Sequence, residues 1–238
     1  MNQSLIDKVS ANLESLNQLS AEDLLKELLS IMGNELVLAN SLSLEDVTLT
    51  HMMHAIDPKF KAFALDTGRL NPETYMVMDR IQEKYSLDLE ILFPNNDAVE
   101  SMVKEKGINL FYESIENRKQ CCQVRKVEPL NRVLSKYSGW VCGLRQEQSP
   151  TRDQVAKVEI DSAHGGMLKI NPLADWTLSQ VKDYVKAGSI PYNKLYDNGY
   201  QSIGCAPCTR AVKDGESERA GRWSWENPDS KECGLHGK

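Results

Sequence analysis

ELVLANSLSLEDVTLTHMMHAI, residues 35–56, decides the fold class of this chain. It opens with the short apolar run ELVLAN, which predicts a buried strand that ends near Asn40. The polar loop SLSLED follows, and VTLTHMMHAI has the pattern of a helix. A strand that runs through a short loop into a helix is the first half of a right-handed βαβ unit. Repeated units of this kind build a parallel sheet.

The same alternation continues on both sides of this stretch. Upstream, SAEDLLKELLSIMG predicts a helix with Ser20 as its N-cap and Gly33 as its stop. Downstream, strand patterns alternate with helix patterns. The strand patterns are KAFAL (61–65), LDLEILF (87–93) and GWVCGL (139–144), and the helix patterns are NPETYMVMDRIQEKY (71–85) and DAVESMVKEKG (97–107).

The later part of the chain completes the prediction. KVEI and MLKIN favour a hairpin around His164, and 177–188 favours a helix with Thr177 and Gln180 as its capping box. A second capping box is predicted at Asp97 and Glu100. The fold class is therefore α/β, with a doubly wound, mainly parallel sheet and an irregular C-terminal tail. We expect an α/β domain over residues 1–204, with N-terminal helices in 1–33, and a CxxC segment with a mobile tail over 205–238.

Composition and charge narrow the classes of function, partner and location open to this chain. The chain has 238 residues, 41% of them apolar, and a net charge of −6, which argues against bulk attraction to nucleic acid or anionic membranes. No apolar run approaches the roughly 20 residues of a membrane span, and the polar N-terminus is unlike a secretory signal. We expect a cytoplasmic protein, with no nucleic-acid or membrane partner. Disulfides are rare there, so the six cysteines indicate metal binding or catalysis.

Four of the cysteines form two pairs, Cys121-Cys122 and Cys205-Ala206-Pro207-Cys208. Four thiolates can hold a zinc ion or an iron–sulfur cluster. Adjacent ligands on one centre demand an unusual backbone, so a redox CxxC or buried structural thiols stay open as alternatives. In a helix, Lys126 could lie near the sulfurs and offset thiolate charge. The plainer interpretation is a solvated surface lysine.

Two loops follow predicted strands at the carboxyl edge of the sheet, where open α/β sheets bind ligands. SLSLED (41–46) places serine hydroxyls at a helix N-terminus, which suits phosphate, but an ordinary N-cap explains it as well. Asp66-Thr67-Gly68-Arg69 could line the same pocket or simply form a tight turn.

The tail carries the remaining candidates. Arg219 and Arg222 lie three residues apart, and paired guanidinium groups suit sulfate or phosphate. Arg145 and Arg152 are further anion candidates. Cys233 is either incidental or a nucleophile whose pKa is lowered by nearby cations. Trp223 and Trp225 favour packing.

Five further segments are distinctive in combination: CCQVRK (121–126), GLR (143–145), YQSIGCAPCT (200–209), RAGRWSWE (219–226) and KECGLH (231–236). Together they resemble the assimilatory sulfonucleotide reductases, in the branch with a four-cysteine iron–sulfur site, the adenylyl-sulfate (APS) reductases. SLSLED and DTGRL resemble the nucleotide pocket of that family. The resemblance covers about residues 35–236 and implies a doubly wound domain of the adenine-nucleotide α-hydrolase type.

The resemblance also implies roles for individual residues. One [4Fe–4S] cluster per chain would be ligated by Cys121, Cys122, Cys205 and Cys208, with Lys126 between the cluster and the substrate sulfate. The remaining implied contacts fall into two groups. The anion would be held by Arg125, Arg219, Arg222 and His236, and the nucleotide pocket would be lined by Ser41, Ser43, Asp46, Leu65 and Gly143.

The implied reaction is the reduction of APS to sulfite and AMP, through an S-sulfocysteine on Cys233, with electrons from thioredoxin or glutaredoxin. The family often forms homo-oligomers, so we expect one. The alternatives are an enzyme for 3′-phosphoadenylyl sulfate (PAPS) or for both substrates, and a zinc-stabilised nucleotide-binding module without activity. An adenylating enzyme of the same fold would need a glycine-rich SGGxDS-like loop, which SLSLED is not.

Overall fold

Six strands form one sheet in the order β3-β2-β1-β4-β6-β5 in a computed structural model that describes residues 1–148 and 152–226. β1 is parallel to β2 and β4, and β4 is parallel to β6. The chain moves outward from β1 to β3 and then returns to the other side of β1, so the order reverses there. This confirms the predicted doubly wound, mainly parallel sheet. The strands are β1 (Leu36–Ala39), β2 (Lys61–Leu65), β3 (Leu89–Leu92), β4 (Gly139–Val141), β5 (Val158–Asp161) and β6 (Met167–Ile170).

Helices connect the parallel strands, as the alternating pattern predicts. β5 and β6 pair antiparallel, which confirms the predicted hairpin. The helices are α1 (Gln3–Ser10), α2 (Leu13–Leu16), α3 (Ala21–Met32), α4 (Leu44–Ile56), α5 (Pro72–Tyr85), α6 (Asn96–Lys106), α7 (Ile115–Cys122), α8 (Glu128–Leu134) and α9 (Leu178–Ala187).

The ends of the helices confirm two of the predicted caps and contradict a third. Ser20 caps α3 and Gly33 ends it, and Thr177 and Gln180 form the predicted capping box of α9. The box predicted at Asp97 and Glu100 is wrong. α6 begins earlier because Asn95 Oδ1 accepts the backbone N–H of Ala98 at 3.0 Å, so Asp97 falls inside the first turn.

Two inner strands, β4 and β6, are buried along their whole length. Every residue of β4 and β6 is buried, as expected for strands that helices cover on both faces. Even Lys169 on β6 is buried, with its ammonium 3.3 Å from a Glu159 carboxylate oxygen. No described helix is both long and apolar enough to cross a membrane.

The chain divides into two compact units. The first comprises Met1–Ala64, Pro72–Glu90 and Leu134–Lys194, and the second comprises Leu65–Asn71, Ile91–Val133 and Leu195–Lys238. The domain boundary expected after residue 204 stays a prediction.

The irregular segment in the second unit is tied together by its backbone. An isolated bridge joins Thr209 to Arg222, and the Trp223 N–H donates to the Cys208 carbonyl at 3.1 Å. Arg219–Glu226 is thereby held against the CxxC segment. Cys233 and His236 lie outside the described residues.

Candidate functional site

One pocket in the second unit is lined by all four of the paired cysteines. Five segments build it: the turn after β2, the residues before α7, α7 itself, the residues just after α7, and the CxxC segment. Among the described residues, its lining includes three arginines and one lysine but no carboxylate. The lining residues are Arg69, Phe111, Arg118, Cys121, Cys122, Arg125, Lys126, Cys205, Pro207 and Cys208.

The helix changes its winding directly after the adjacent cysteines. Cys121 and Cys122 end α7, and Gln123–Val127 form a π-helical turn that leads into α8. Hydrogen bonds in a π-helix join residues five apart, and such turns are frequent at functional sites. Lys126 follows Cys121 at this spacing and lines the same pocket. The two cysteines themselves are α-helical, and the widened turn begins at the next residue.

The sulfur atoms of the two pairs lie close enough to influence one another. Burial raises the pKa of Cys208 to about 12, and the neighbouring Cys205 and Cys122 thiols contribute in the same direction. Burial also opposes ionisation of Cys205, but Lys126, the Thr67 hydroxyl, Arg222 and Arg125 together outweigh it and lower the pKa of Cys205. Cys205 therefore ionises more readily than an unperturbed cysteine.

The turn after β2 lies against the CxxC segment, within the second unit. Residues 66–69 form the tight turn that the sequence offered as one interpretation, with Gly68 at φ +70°. The Thr67 hydroxyl lies 3.3 Å from Cys205 Sγ, and Arg125 Nη1 donates to the Thr67 carbonyl at 2.7 Å. The Ala206 N–H donates to the carbonyl of residue 69 at 2.8 Å. This turn thus positions both Cys205 and a pocket cation.

The arrangement does not match a site for one metal ion. Within residues 1–148 and 152–226, no three His, Cys, Asp or Glu side chains converge closely enough to hold a single ion. No disulfide links the five cysteines of these residues.

The loop between β1 and α4, in the first unit, is held by its own polar groups. Ser43 Oγ caps α4 by accepting the Asp46 N–H at 3.3 Å, which confirms the N-cap interpretation. Asp46 accepts the Ser41 N–H at 2.8 Å and also the Ser41 hydroxyl. Leu42 adopts a left-handed backbone (φ 64°), and its N–H donates to Asn40 Oδ1 at 2.8 Å. A non-glycine residue in this conformation indicates strain, which clusters at functional sites.

Gly143 completes this loop from the end of β4. Its N–H donates to Asp46 Oδ1 at 2.9 Å. A Cβ at this position would lie 2.5 Å from the Glu45 Cβ and 2.6 Å from Asp46 Oδ1, so only glycine fits. Burial raises the pKa of Asp46 to about 6, although its hydrogen bonds to Ser41 and Gly143 oppose this.

Arg145 and Arg152, predicted as anion ligands, belong to a buried network in the first unit. Arg145 Nε donates to Glu45 Oε1 at 2.8 Å, and the Arg145 side chain is fully buried. Gln148 donates to the same carboxylate oxygen at 3.0 Å and accepts from Arg152. The Arg145 charge is thus met by a carboxylate of the chain itself.

The other predicted residues occupy varied settings. Leu65 is half-buried at the end of β2, and Arg219 is half-buried. Arg222 is buried, with its guanidinium 4.6 Å from the Trp223 ring. Trp223 packs in the core as predicted, whereas Trp225 is 40% exposed and contacts Tyr112 edge-on.

Sequence reasoning missed three side chains at the cysteine pocket. Thr67 and Arg69 belong to a turn that was noted only as a possible nucleotide contact, and Arg118 was not considered. One signal could have found Arg118: it precedes Cys122 by four residues, and residues at this spacing share a helix face.

Comparisons with known proteins agree with this architecture. Residues 35–211 match the phosphoadenosine phosphosulfate reductase domain family. The adenosine 5'-phosphosulfate reductase of Burkholderia cepacia is 47% identical over 98% of this chain and 90% of its own length. That of Allochromatium vinosum is 47% identical over 88% of this chain and 83% of its own.

A solved structure shares the fold. The phosphoadenylyl-sulfate reductase of Candida auris, crystallised with phosphate, aligns with a TM-score of 0.71 at 25% identity, covering 89% of this chain and 98% of its own. The match to the family model covers well over half of the sequence. The chain therefore belongs to the phosphoadenosine phosphosulfate reductase family.

Proposed function

We propose that this protein is an adenylyl-sulfate reductase of sulfate assimilation, which converts APS to sulfite and AMP with electrons from thioredoxin or glutaredoxin. The observation that carries the proposal is the pocket in which four cysteines meet three arginines and one lysine. Relatives at 47% identity are named adenosine 5'-phosphosulfate reductases, which supports APS over PAPS.

The four cysteines around the cavity supply the thiolate set that a [4Fe–4S] cluster takes, which supports the proposal of such a cluster. Four thiolates bring negative charge, and the cationic lining suits it. Cys121, Cys122, Cys205 and Cys208 would hold one cluster per chain.

When bound, the cluster would supply negative charge and a rigid anchor for its ligands, and it would carry no electrons in the reaction. Lys126 and Arg125, in the turn after Cys122, would then present their charges to the substrate sulfate. Cationic groups are needed because a thiolate nucleophile and a sulfate repel each other. Arg219, Arg222 and His236 would add to this anion site.

The nucleotide would bind at the first-unit loop, where Ser41, Ser43, Asp46 and Gly143 form one hydrogen-bonded group. Arg145 and Arg152 would support the loop through Glu45 and Gln148.

The chemistry would occur on Cys233. Its thiolate attacks the sulfur of APS, an S–S bond forms, and the bond between sulfur and the phosphate oxygen breaks with AMP as the leaving group. This is nucleophilic catalysis with a covalent intermediate, an S-sulfocysteine. A thioredoxin thiolate then attacks Cys233 Sγ and releases sulfite. The second thioredoxin thiol resolves the mixed disulfide, so the dithiol supplies both electrons.

The test is sulfite release from APS and PAPS in parallel, with thioredoxin supplied. We expect fast release from APS and little from PAPS. Cys233→Ser should release no sulfite while it still binds APS. Preference for PAPS would contradict the substrate assignment, and turnover by the serine variant would contradict the mechanism. Size-exclusion chromatography with light scattering checks the expected homo-oligomer.

A further inference from the structure

Arg118 is a fully buried charge beside the cysteine pocket. It lies on α7, four residues before Cys122, and its side chain has no exposed surface. A guanidinium stays protonated at any physiological pH. Burying a charge is costly unless it is paired and hydrogen-bonded, so such a residue needs specific partners.

Two partners come from the segment that follows the CxxC motif. Arg118 Nε and Nη2 donate to the two carboxylate oxygens of Glu226 at 2.9 and 2.8 Å, a bidentate pair with the Glu226 side chain only 2% exposed. The Trp223 ring lies 4.6 Å from the guanidinium carbon. This geometry fixes the plane of the guanidinium, because a bidentate pair allows one orientation.

The third partner is a pocket cysteine. Arg118 lines the pocket together with Cys122, one turn further along α7, and interacts electrostatically with its sulfur while it pairs with Glu226. Arginine has five N–H donors in a rigid fork, so it can serve a carboxylate and a sulfur at once. Hydrogen bonds to ligand sulfurs are among the means by which a protein tunes an iron–sulfur cluster.

We infer that Arg118 is a positioning residue for the cluster, held by Glu226 and Trp223 so that its guanidinium supports Cys122 as an iron ligand. The inference rests on the proposed cluster but assigns roles that the proposed reaction does not require. The simpler alternative is that Arg118 and Glu226 only join α7 to the C-terminal segment.

A set of substitutions separates the two interpretations. Breaking a buried pair leaves one charge uncompensated, whereas replacing both partners with apolar residues is often tolerated. Arg118→Met should therefore destabilise the iron-free protein, and R118M/E226M should largely restore its melting temperature. Lys119→Met is the matched control, because it removes the same charge from an exposed site on the same helix.

The deciding readouts are iron and sulfide per chain, the rate at which a chelator bleaches the visible absorbance, and the Fe–S(Cys) stretching bands in resonance Raman spectra. We expect R118M/E226M to lose its cluster roughly ten times faster than the unmodified protein, the lower end of the effect when a ligand's supporting partner is removed. Its Fe–S(Cys) bands should shift, and K119M should match the unmodified protein.

R118K provides a second arm if the double variant does not fold. Lysine keeps the positive charge but lacks the planar guanidinium. The Fe–S(Cys) bands of R118K should therefore shift, and its visible absorbance should bleach faster. Unchanged bands and bleaching in R118M/E226M, or in R118K where only that variant folds, would overturn the inference and leave the proposed cluster intact. Unmodified protein without iron or visible absorbance would overturn both.

Discussion

The cysteine pocket of the second unit differs in its charged groups from the nucleotide loop of the first unit, by which we mean residues 41–46 together with Gly143. Within residues 1–148 and 152–226, the pocket gathers four thiols and four cationic side chains without a lining carboxylate. In the nucleotide loop, by contrast, the carboxylates of Asp46 and Glu45 accept hydrogen bonds from the chain's own backbone and side chains. The pocket therefore suits a bound anionic group, whereas the hydrogen bonds of the loop are already formed in the absence of a ligand.

The largest effect should come from the pocket cysteines. Cys208→Ala should remove most of the bound iron and all measurable sulfite release, because the cluster loses a ligand. Cys142→Ala is the matched control. Cys142 is buried and donates to Asn171 Oδ1 at 3.0 Å, away from the pocket lining. If iron analysis found equal losses in both variants, Cys208 would not be distinguished from Cys142 as a cluster ligand.

Lys126→Met should weaken binding of APS without removing iron. A charge-assisted hydrogen bond contributes about 1.5–3 kcal/mol, so the Kd should rise roughly 10- to 100-fold. Isothermal titration with APS measures this in the Cys233→Ser background, where no covalent intermediate can form, and Lys119→Met serves as the control on the exposed face of α7. An unchanged Kd would remove Lys126 from the proposed anion site.

Asp46 should make folding stability fall as pH rises. Its folded pKa is raised from 3.8 to about 6, so the native state binds the proton more tightly than the unfolded state. Its contribution is most favourable below pH 4 and is lost as pH rises toward 6, by about 3 kcal/mol. Asp46→Asn removes the titrating carboxyl group. The difference in free energy of unfolding between the unmodified protein and this variant should therefore change between about pH 4 and pH 6. Urea unfolding at several pH values measures it, and a constant difference would refute the assignment.

Gly143→Ala should give the smallest effect on stability, about 2 kcal/mol, because an added Cβ overlaps Glu45 and Asp46. It should also weaken AMP binding but leave the iron content unchanged. Binding of AMP equal to that of the unmodified protein would mean that the loop does not hold the nucleotide.

Much of the fold follows from local sequence. The strand runs, the caps at Ser20 and Ser43 and the box at Thr177 are short-range signals, so a single pass along the chain finds them. The start of α6 was misplaced because Asn95 and Asp97 are both good N-caps, and only the structure shows which side chain accepts the N–H.

The site was harder to predict because its residues are distant in sequence. The cysteine pairs and Lys126 could be named, since their types and spacings are chemically distinctive. The buried pair between Arg118 and Glu226 joins residues 108 positions apart, and no local pattern marks it. Similarly, the contact of Thr67 with Cys205 depends on where the turn after β2 lies in the folded unit.

The most direct test of the proposed reaction is mass analysis of the protein incubated with APS in the absence of thioredoxin. The mechanism predicts one SO₃ group on the peptide that contains Cys233, with one AMP released per chain, and loss of that group as sulfite when thioredoxin is added. An unmodified Cys233 peptide, or an SO₃ group on another cysteine, in protein that goes on to produce sulfite would contradict it.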